Sequence, residues 1–256
     1  MILYKYLTVE KVDEWLIREN SILLTPPIHL NDLLEFRIRR KPADLTERRA
    51  LFEKFQQVSP SACTFGKYDR ATTRKDYMDN EPVDMRRMLS EVLGVVSLTS
   101  DPTNELMWAH YGLNTQVAIG YRIEDVGEEN GMRFSLLPIG IAIEVKYGND
   151  VNPMKKDFSD AARHLTTKRK CWSYENEWRI VSELREAETK ERGDKKFYAL
   201  PACREQIANV VFGANAGQDF VERVTEWLLG SPAIRQKVRI DPTTHDLVLS
   251  EIERTF

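Results

Sequence analysis

Apolar and polar positions alternate regularly between residues 172 and 181. The even-numbered positions carry the aromatic and aliphatic residues Trp172, Tyr174, Trp178 and Ile180, with Asn176 as the single polar interruption. Because successive side chains of a strand point to opposite faces, this pattern predicts a strand with an aromatic inner face. The opposite face then carries Glu175, Glu177 and Arg179, with the two carboxylates pointing the same way.

Two like charges side by side raise the pKa of one of them unless a cation or a ligand intervenes. A fold does not need such a pair, so Glu175 and Glu177 are the candidate catalytic residues. The alternative is a half-exposed strand whose Glu177 and Arg179 pair with neighbours across the sheet.

The two-residue period of strands and the 3.6-residue period of helices predict the other elements. Strands are predicted at 2–7, 22–25, 92–98, 116–123, 138–147, 197–200, 207–213, 237–240 and 247–252. Helices are predicted at 9–20, 157–170 and 220–229, and a shorter one is capped by Asp101 and ends at Gly112. Strands outnumber helices in the second half, so the predicted class is α+β with a mixed, largely antiparallel sheet.

Residues 40–91 differ from the rest because they are rich in charge and in helix-forming residues. We interpret them as a helical insertion in a single domain spanning residues 1–256. Residues 66–82 are polar and low in aliphatic side chains, so this middle part is predicted to be less ordered than the sheet. The insertion is either a lid or a subdomain with only a packing role.

Composition narrows the class of protein. The 256 residues are 42% hydrophobic and 30% charged, which is typical of a soluble globular protein. No run approaches the roughly 20 apolar residues of a membrane span. The net charge of −3 does not indicate a nucleic-acid partner. Three scattered cysteines and four scattered histidines predict a cytoplasmic protein with neither disulfide framework nor metal site.

Aromatic residues of the short helix are candidates for ligand binding. Trp108 and Tyr111 lie three residues apart on one helix face, where they would form a wall for a flat ring. His110 would then act as an acid or base at the edge of this wall. The alternative is that both aromatic residues belong to the core and that His110 is an exposed helix residue.

Hydroxyl groups and cations complete the candidate set. Ser97 and Thr99 lie at a strand end, where they would hold a carboxylate or a sugar, or make a turn. Lys5, beside Tyr6, needs a partner or a ligand if the first strand is internal, and guards the edge if it is not. Lys170 brings a further cation to the start of the alternating stretch.

Several sequence blocks together resemble domain of unknown function 2971, a widespread group of bacterial and prophage proteins often found near defence genes. The blocks are Leu3-Tyr4-Lys5-Tyr6, Leu30-Asn31-Asp32, Ser97-Leu98-Thr99, Met107-Trp108-Ala109-His110-Tyr111, and Lys170 with Trp172-Ser173-Tyr174-Glu175-Asn176-Glu177-Trp178-Arg179. The resemblance covers most of the chain and gives no activity by itself. Leu33 follows Asp32 where the family usually has proline.

A second resemblance is to the core of ADP-ribosyltransferases, and it implies NAD as a substrate. It places Glu177 at the nicotinamide ribose and the oxocarbenium-like transition state, and Glu175 at the attacking acceptor. The hydroxyl strand maps to Ser97 and Thr99, and the cation of the first strand maps to Lys5. The chain departs from this pattern, since Lys5 stands where arginine is expected and the hydroxyl residues do not form the tight Ser-Thr-Ser triplet.

The favoured function is therefore transfer of ADP-ribose from NAD to a protein or nucleic acid, in phage defence or as a toxin. A second hypothesis is a metal-dependent nuclease or phosphodiesterase, in which Glu175, Glu177 and Lys170 surround a divalent ion. Asp101 or Asp32 would then supply the third carboxylate. A third hypothesis is a sensor or partner-binding protein without catalysis, whose tryptophans form a core.

Overall fold

The computed structural model describes residues 1–32, 45–58, 64–73, 86–87, 89–111, 115–123, 126–129, 132–148 and 165–252. Within these residues the chain forms fifteen strands accompanied by a few helices, which confirms the α+β class. No helix in this part of the chain is long and apolar enough to cross a membrane.

Most strands lie at predicted positions, whereas those at Val126–Glu129, Met132–Leu137, Thr167–Lys168 and Glu188–Arg192 were not predicted. The strands are β1 Ile2–Leu7, β2 Ser21–Leu24, β3 Leu93–Thr99, β4 Val117–Arg122, β5 Val126–Glu129, β6 Met132–Leu137, β7 Gly140–Glu144, β8 Lys146–Tyr147, β9 Thr167–Lys168, β10 Glu177–Glu183, β11 Glu188–Arg192, β12 Lys195–Pro201, β13 Ile207–Phe212, β14 Ile234–Ile240 and β15 Leu247–Glu251.

The helices are short, apart from one in the insertion. The α-helices are Val9–Lys11, Leu45–Val58, Phe65–Thr72, Glu105–His110 and Gln218–Trp227, with π-helical turns at Val12–Ile17 and 3-10 turns at Pro27–His29, Lys170–Glu175, Leu184–Glu186 and Arg204–Gln206. Residues 86–87 and 89–90 are also helical.

Ten strands form one sheet in the order β15-β14-β13-β4-β1-β3-β10-β7-β6-β5. Neighbouring strands in it are antiparallel except β13 and β14, which run parallel. The prediction of a mixed, largely antiparallel sheet is thus confirmed. Smaller sheets of order β11-β12-β2 and β8-β9 accompany it.

The large sheet is weakly joined at its middle. In the described part of the chain, β1 and β3 share a single registered pair, Tyr4 with Thr99. Each strand pairs extensively on its other side, β1 with β4 and β3 with β10. Beyond that one pair, β1 and β3 diverge and leave a gap in the sheet. Thr25, directly after β2, exchanges two backbone hydrogen bonds with Val95 of β3.

The sheet buries apolar residues on both faces. One face packs against the first helix and Gln218–Trp227, with side chains such as Leu3, Leu16 and Val224 in one cluster. The other face is covered by Glu105–His110, whose Met107 and Trp108 pack on β1. Alternation along each strand therefore decides which residues meet the first helix and which meet the site.

The predicted strand through residues 172–181 is only half correct. Residues 170–175 form a 3-10 turn that ends at Asn176 in the left-handed conformation (φ 42°), and the strand begins at Glu177. Asparagine tolerates this conformation, which reverses the chain and ends the regular alternation. From Glu177 onward the alternation holds, because Trp178 and Ile180 lie in the core opposite Glu177 and Arg179.

Two predicted helices also change. The helix predicted after Asp101 begins three residues later, with Asn104 as its N-cap, because Asp101 instead bonds Thr103 in a local turn. In the helix predicted at 157–170, residues 167–168 form β9. Residues 157–164, the predicted stop at Gly112 and residues 74–82 of the predicted mobile segment lie outside the described residues.

Candidate functional site

A pocket lies at the gap between β1 and β3. Its lining comes from both strands, from the helix Glu105–His110 and its C-cap, from the turn before β10 and from the first residue of β10. The residues are Tyr4, Lys5, Tyr6, Ser97, Leu98, Met107, Tyr111, Glu175 and Glu177. The cavity measures about 30 Å³, enough for one or two water molecules. Both predicted carboxylates therefore meet the predicted cation of the first strand in one place.

The β10 wall of the pocket is a buried ionic cluster. Arg179 donates from Nε to Glu177 Oε1 and from Nη2 to Glu177 Oε2, both at 2.8 Å. Lys168 bonds Glu175 Oε2 and lies 3.1 Å from Glu177 Oε2. All four residues are at most 4% exposed. A bidentate arginine fixes a carboxylate in position and orientation.

The cluster determines the ionisation of Glu177. Burial alone would raise the pKa of this carboxyl, but Arg179, Lys168 and a hydrogen bond from Ser97 lower it to about 2. Its backbone N–H donates to the Tyr147 hydroxyl at 2.7 Å. Glu177 is thus a permanently ionised carboxylate at neutral pH, and its main chain and side chain are both held.

The β1 wall differs because Lys5 forms no hydrogen bond or ion pair through its side chain with the described residues. Burial and the charge of Lys11 lower the pKa of Lys5 to about 8, although Glu177 partly offsets this effect. The residue keeps some exposure, so its ammonium is positioned to meet a ligand that enters the pocket.

Tyrosines form the rest of the lining. Burial, with smaller contributions from nearby carboxylates, raises the pKa of both Tyr6 and Tyr111 well above the usual range, so both phenols stay protonated. Tyr111 accepts a hydrogen bond from Asn31 Nδ2 at 3.1 Å, which leaves its own proton available for donation. The pocket therefore contains hydroxyl donors as well as charges.

Several predicted site residues lie elsewhere. Trp108 is fully buried, with its ring 4.8 Å from Tyr6 and its Nε1 bonded to the Pro102 carbonyl, so it supports the pocket from below and forms no ligand wall. Thr99 is buried and accepts from the Asp101 backbone N–H. His110 is exposed and stacks on Tyr174 at 6.3 Å, outside the lining.

Lys170 does not line the pocket. It is exposed in the 3-10 turn, whereas Lys168, two residues earlier in β9, is the buried cation of the cluster. The sequence pattern predicts a helix over 157–170 that brings Lys170 to the start of the alternating stretch, whereas Lys170 lies in a 3-10 turn that ends five residues later. A signal for Lys168 existed only in the excess of carboxylates at 175 and 177, which required a buried cation somewhere.

Asp101 and Asp32, the candidates for a third metal-binding carboxylate, do not line the pocket. Asp101 accepts from Thr103 in its turn, and Asp32 lies 3.4 Å from Arg169. Among the described residues no group of three or more His, Cys, Asp or Glu side chains is arranged to hold a metal ion. No observation therefore favours the metal-dependent hypothesis over the others.

Comparison with known proteins finds a match to one family over part of the chain. The family model of protein of unknown function DUF2971 matches residues 107–180, a segment that includes Tyr111, Glu175 and Glu177. The match confirms the resemblance for the sequence blocks at residues 107–111 and 170–179. No curated protein and no solved structure matches the chain.

Proposed function

We propose that this protein transfers ADP-ribose from NAD to a macromolecular acceptor in the cytoplasm, in phage defence or as a toxin. The observation that supports the proposal best is the pocket itself. The gap in the sheet brings Glu175 and Glu177 on one wall together with Lys5 on the other. These residues come from distant parts of the sequence, and alternation alone does not require them to meet.

The chemistry suits a carboxylate that stays ionised. When the bond between ribose and nicotinamide breaks, its electron pair leaves with nicotinamide and positive charge develops on the ribose. Glu177, with its pKa of about 2, presents a fixed negative charge to that ribose. Glu175 then accepts the proton that the attacking hydroxyl or amine loses as it bonds to the ribose carbon.

The cations have separate roles in this scheme. Arg179 and Lys168 hold the two carboxylates in place, which avoids reorganisation during the reaction. Lys5, which has no partner among the described residues, would pair with an anionic group of the dinucleotide. Tyr111 would donate a hydrogen bond to a ribose or phosphate oxygen at the mouth, whereas the Tyr6 hydroxyl already donates to the Asp101 carbonyl.

The test is release of nicotinamide from NAD by the purified protein, measured by chromatography with and without cell extract as a source of acceptor. Glu175→Gln keeps the size of the side chain and leaves the Glu177–Arg179 pair intact. We expect it to lower the rate by roughly 10²–10³-fold, as for loss of one preorganised catalytic group. Glu183→Gln, a half-exposed carboxylate at the end of β10, is the matched control.

Equal rates for Glu175→Gln and wild type would contradict the catalytic assignment. Failure of the wild type to bind or consume NAD would contradict the proposal as a whole.

Two observations favour a second candidate function, a sensor that binds a small anion without catalysis. Both oxygens of Glu177 already accept from Arg179, and the cavity holds only one or two waters. A sensor predicts that NAD, or a smaller anion such as phosphate, raises the melting temperature by mass action while nicotinamide release stays at background.

A further inference from the structure

The chain segment 27–32 is held by one buried arginine. Arg86 is 8% exposed and donates hydrogen bonds to four backbone carbonyls of this segment. The acceptors are the carbonyl oxygens of Pro27 at 2.9 Å, Ile28 at 3.4 Å, Leu30 at 2.8 Å and Asp32 at 3.1 Å. Ser90 Oγ also accepts from the Ile28 backbone N–H at 2.8 Å. Because a guanidinium is a rigid fork of donors, this set fixes the path of the segment.

The same segment reaches the pocket through Asn31. Asn31 donates to the hydroxyl of Tyr111, and the Tyr111 ring lies beside the Tyr6 ring, with ring centroids 6.3 Å apart. Three lining residues keep some exposure, namely Lys5, Ser97 and Tyr111. The mouth of the pocket therefore lies among them, and Tyr111 is its largest side chain.

We infer that the hydrogen bond between Asn31 and Tyr111 sets the aperture of the pocket, and that Arg86 positions Asn31 for this role. The cavity of about 30 Å³ admits waters, so an organic ligand enters only when the Tyr111 side chain moves aside. Asn31 and Arg86 thereby decide the size of ligand that reaches Lys5. Since Arg86 lies in the predicted insertion, the insertion is linked to the site through residues 27–32.

The aperture can be measured on the full chain without NAD, by labelling lysines with two amine reagents of different size. Acetic anhydride is the small reagent and the N-hydroxysuccinimide ester of biotin is the bulky one. Peptide mass spectrometry gives the ratio of biotin to acetyl at Lys5. Lys196, whose side chain is 64% exposed, gives the reference ratio.

Asn31→Ala removes the donor, and Tyr111→Phe removes the acceptor but keeps the ring. Each is expected to raise the biotin-to-acetyl ratio at Lys5 by about three- to tenfold, the range for loss of one hydrogen bond. The double variant should show no further increase, because both changes break the same bond. Gln218→Ala, which removes an exposed amide from a distant helix, should leave the ratio unchanged.

Arg86→Lys keeps the charge but not the fork, and it is expected to raise the ratio while lowering the melting temperature. The inference is overturned if Lys5 in the wild type already takes up biotin as readily as Lys196. It is also overturned if Asn31→Ala and Tyr111→Phe leave the Lys5 ratio unchanged, or if the Lys196 ratio rises in parallel. Because neither reagent is NAD, these outcomes are independent of the proposed transferase activity.

Discussion

On the β10 wall of the pocket each charged side chain has a partner within hydrogen-bonding distance, whereas on the β1 wall Lys5 has none among the described residues. The β10 wall contains two carboxylates and two cations, so its charges balance, and Lys5 adds one positive charge. Paired buried charges are held in position, and an unpaired one retains its capacity for a ligand. Under the proposed function, the β10 wall acts on the ligand and Lys5 on the β1 wall binds an anionic part of it.

Removal of Arg179 should have the largest effect, because it leaves Glu177 buried with only Lys168 beside it. We expect Arg179→Met to lower the free energy of unfolding by about 3–5 kcal/mol, the range for breaking a buried ion pair. Chemical denaturation followed by tryptophan fluorescence measures it. Arg185→Met is the control, since Arg185 forms a surface pair with Glu183 worth at most about 1 kcal/mol. Equal losses for the two variants would show that the β10 wall is not held as described.

Lowering the pH should reduce the stability that the β10 wall contributes to the fold. The pKa of Glu177 is about 2 in the folded protein and 4.5 is its ordinary value. A lowered pKa contributes stability that is present above pH 4.5 and is lost as the pH falls towards 2. The contribution is roughly 3 kcal/mol, and Glu177→Gln should lack this part of the pH dependence.

The measurement is the denaturation midpoint of wild type and Glu177→Gln between pH 6 and pH 3, with Glu183→Gln as control. Parallel curves for wild type and Glu177→Gln would contradict the assigned pairing. Glu177→Gln should also be less stable than wild type at pH 7, because Gln cannot pair with Arg179. Glu175→Gln loses its ion pair with Lys168 but keeps the bidentate Glu177–Arg179 pair, so it is the milder variant for testing catalysis, and its melting temperature is measured beside its rate.

Lys5 should give the smallest effect, with the opposite sign. Its lowered pKa means that burial of the charged form costs stability at neutral pH, and that stability rises as pH increases from about 8 to 10.5. Because the Lys5 side chain keeps some exposure, solvent screening reduces this cost, and we expect Lys5→Met to raise the melting temperature at pH 7 by only about 2–4 °C, the shift for ~1 kcal/mol in a chain of this size. It should also remove the rise in stability at alkaline pH. Lys196→Met is the control, and a lower melting temperature for Lys5→Met would indicate a structural partner.

Much of the fold could be predicted from the sequence, because β-sheet alternation and turn residues act locally. The carboxylate face of β10 and the cation of β1 were both found in this way. The left-handed Asn176 was missed, because either a strand or a turn is compatible with its short polar side chain. Lys168 and the gap between β1 and β3 depend on pairing between distant strands, which one sequence does not reveal.

The pKa of Lys5 with and without NAD tests the central claim most directly. Protein labelled with ¹³C-lysine, and assigned with Lys5→Met, allows the Lys5 side-chain signal to be followed by NMR as pH is raised. We expect a pKa of about 8 in the free protein. Saturating NAD should raise this pKa, since a phosphate beside the ammonium favours its charged form. A pKa near 10.5 in the free protein, or one that NAD leaves unchanged, would contradict the account of Lys5 as the unpaired, ligand-binding wall of the pocket.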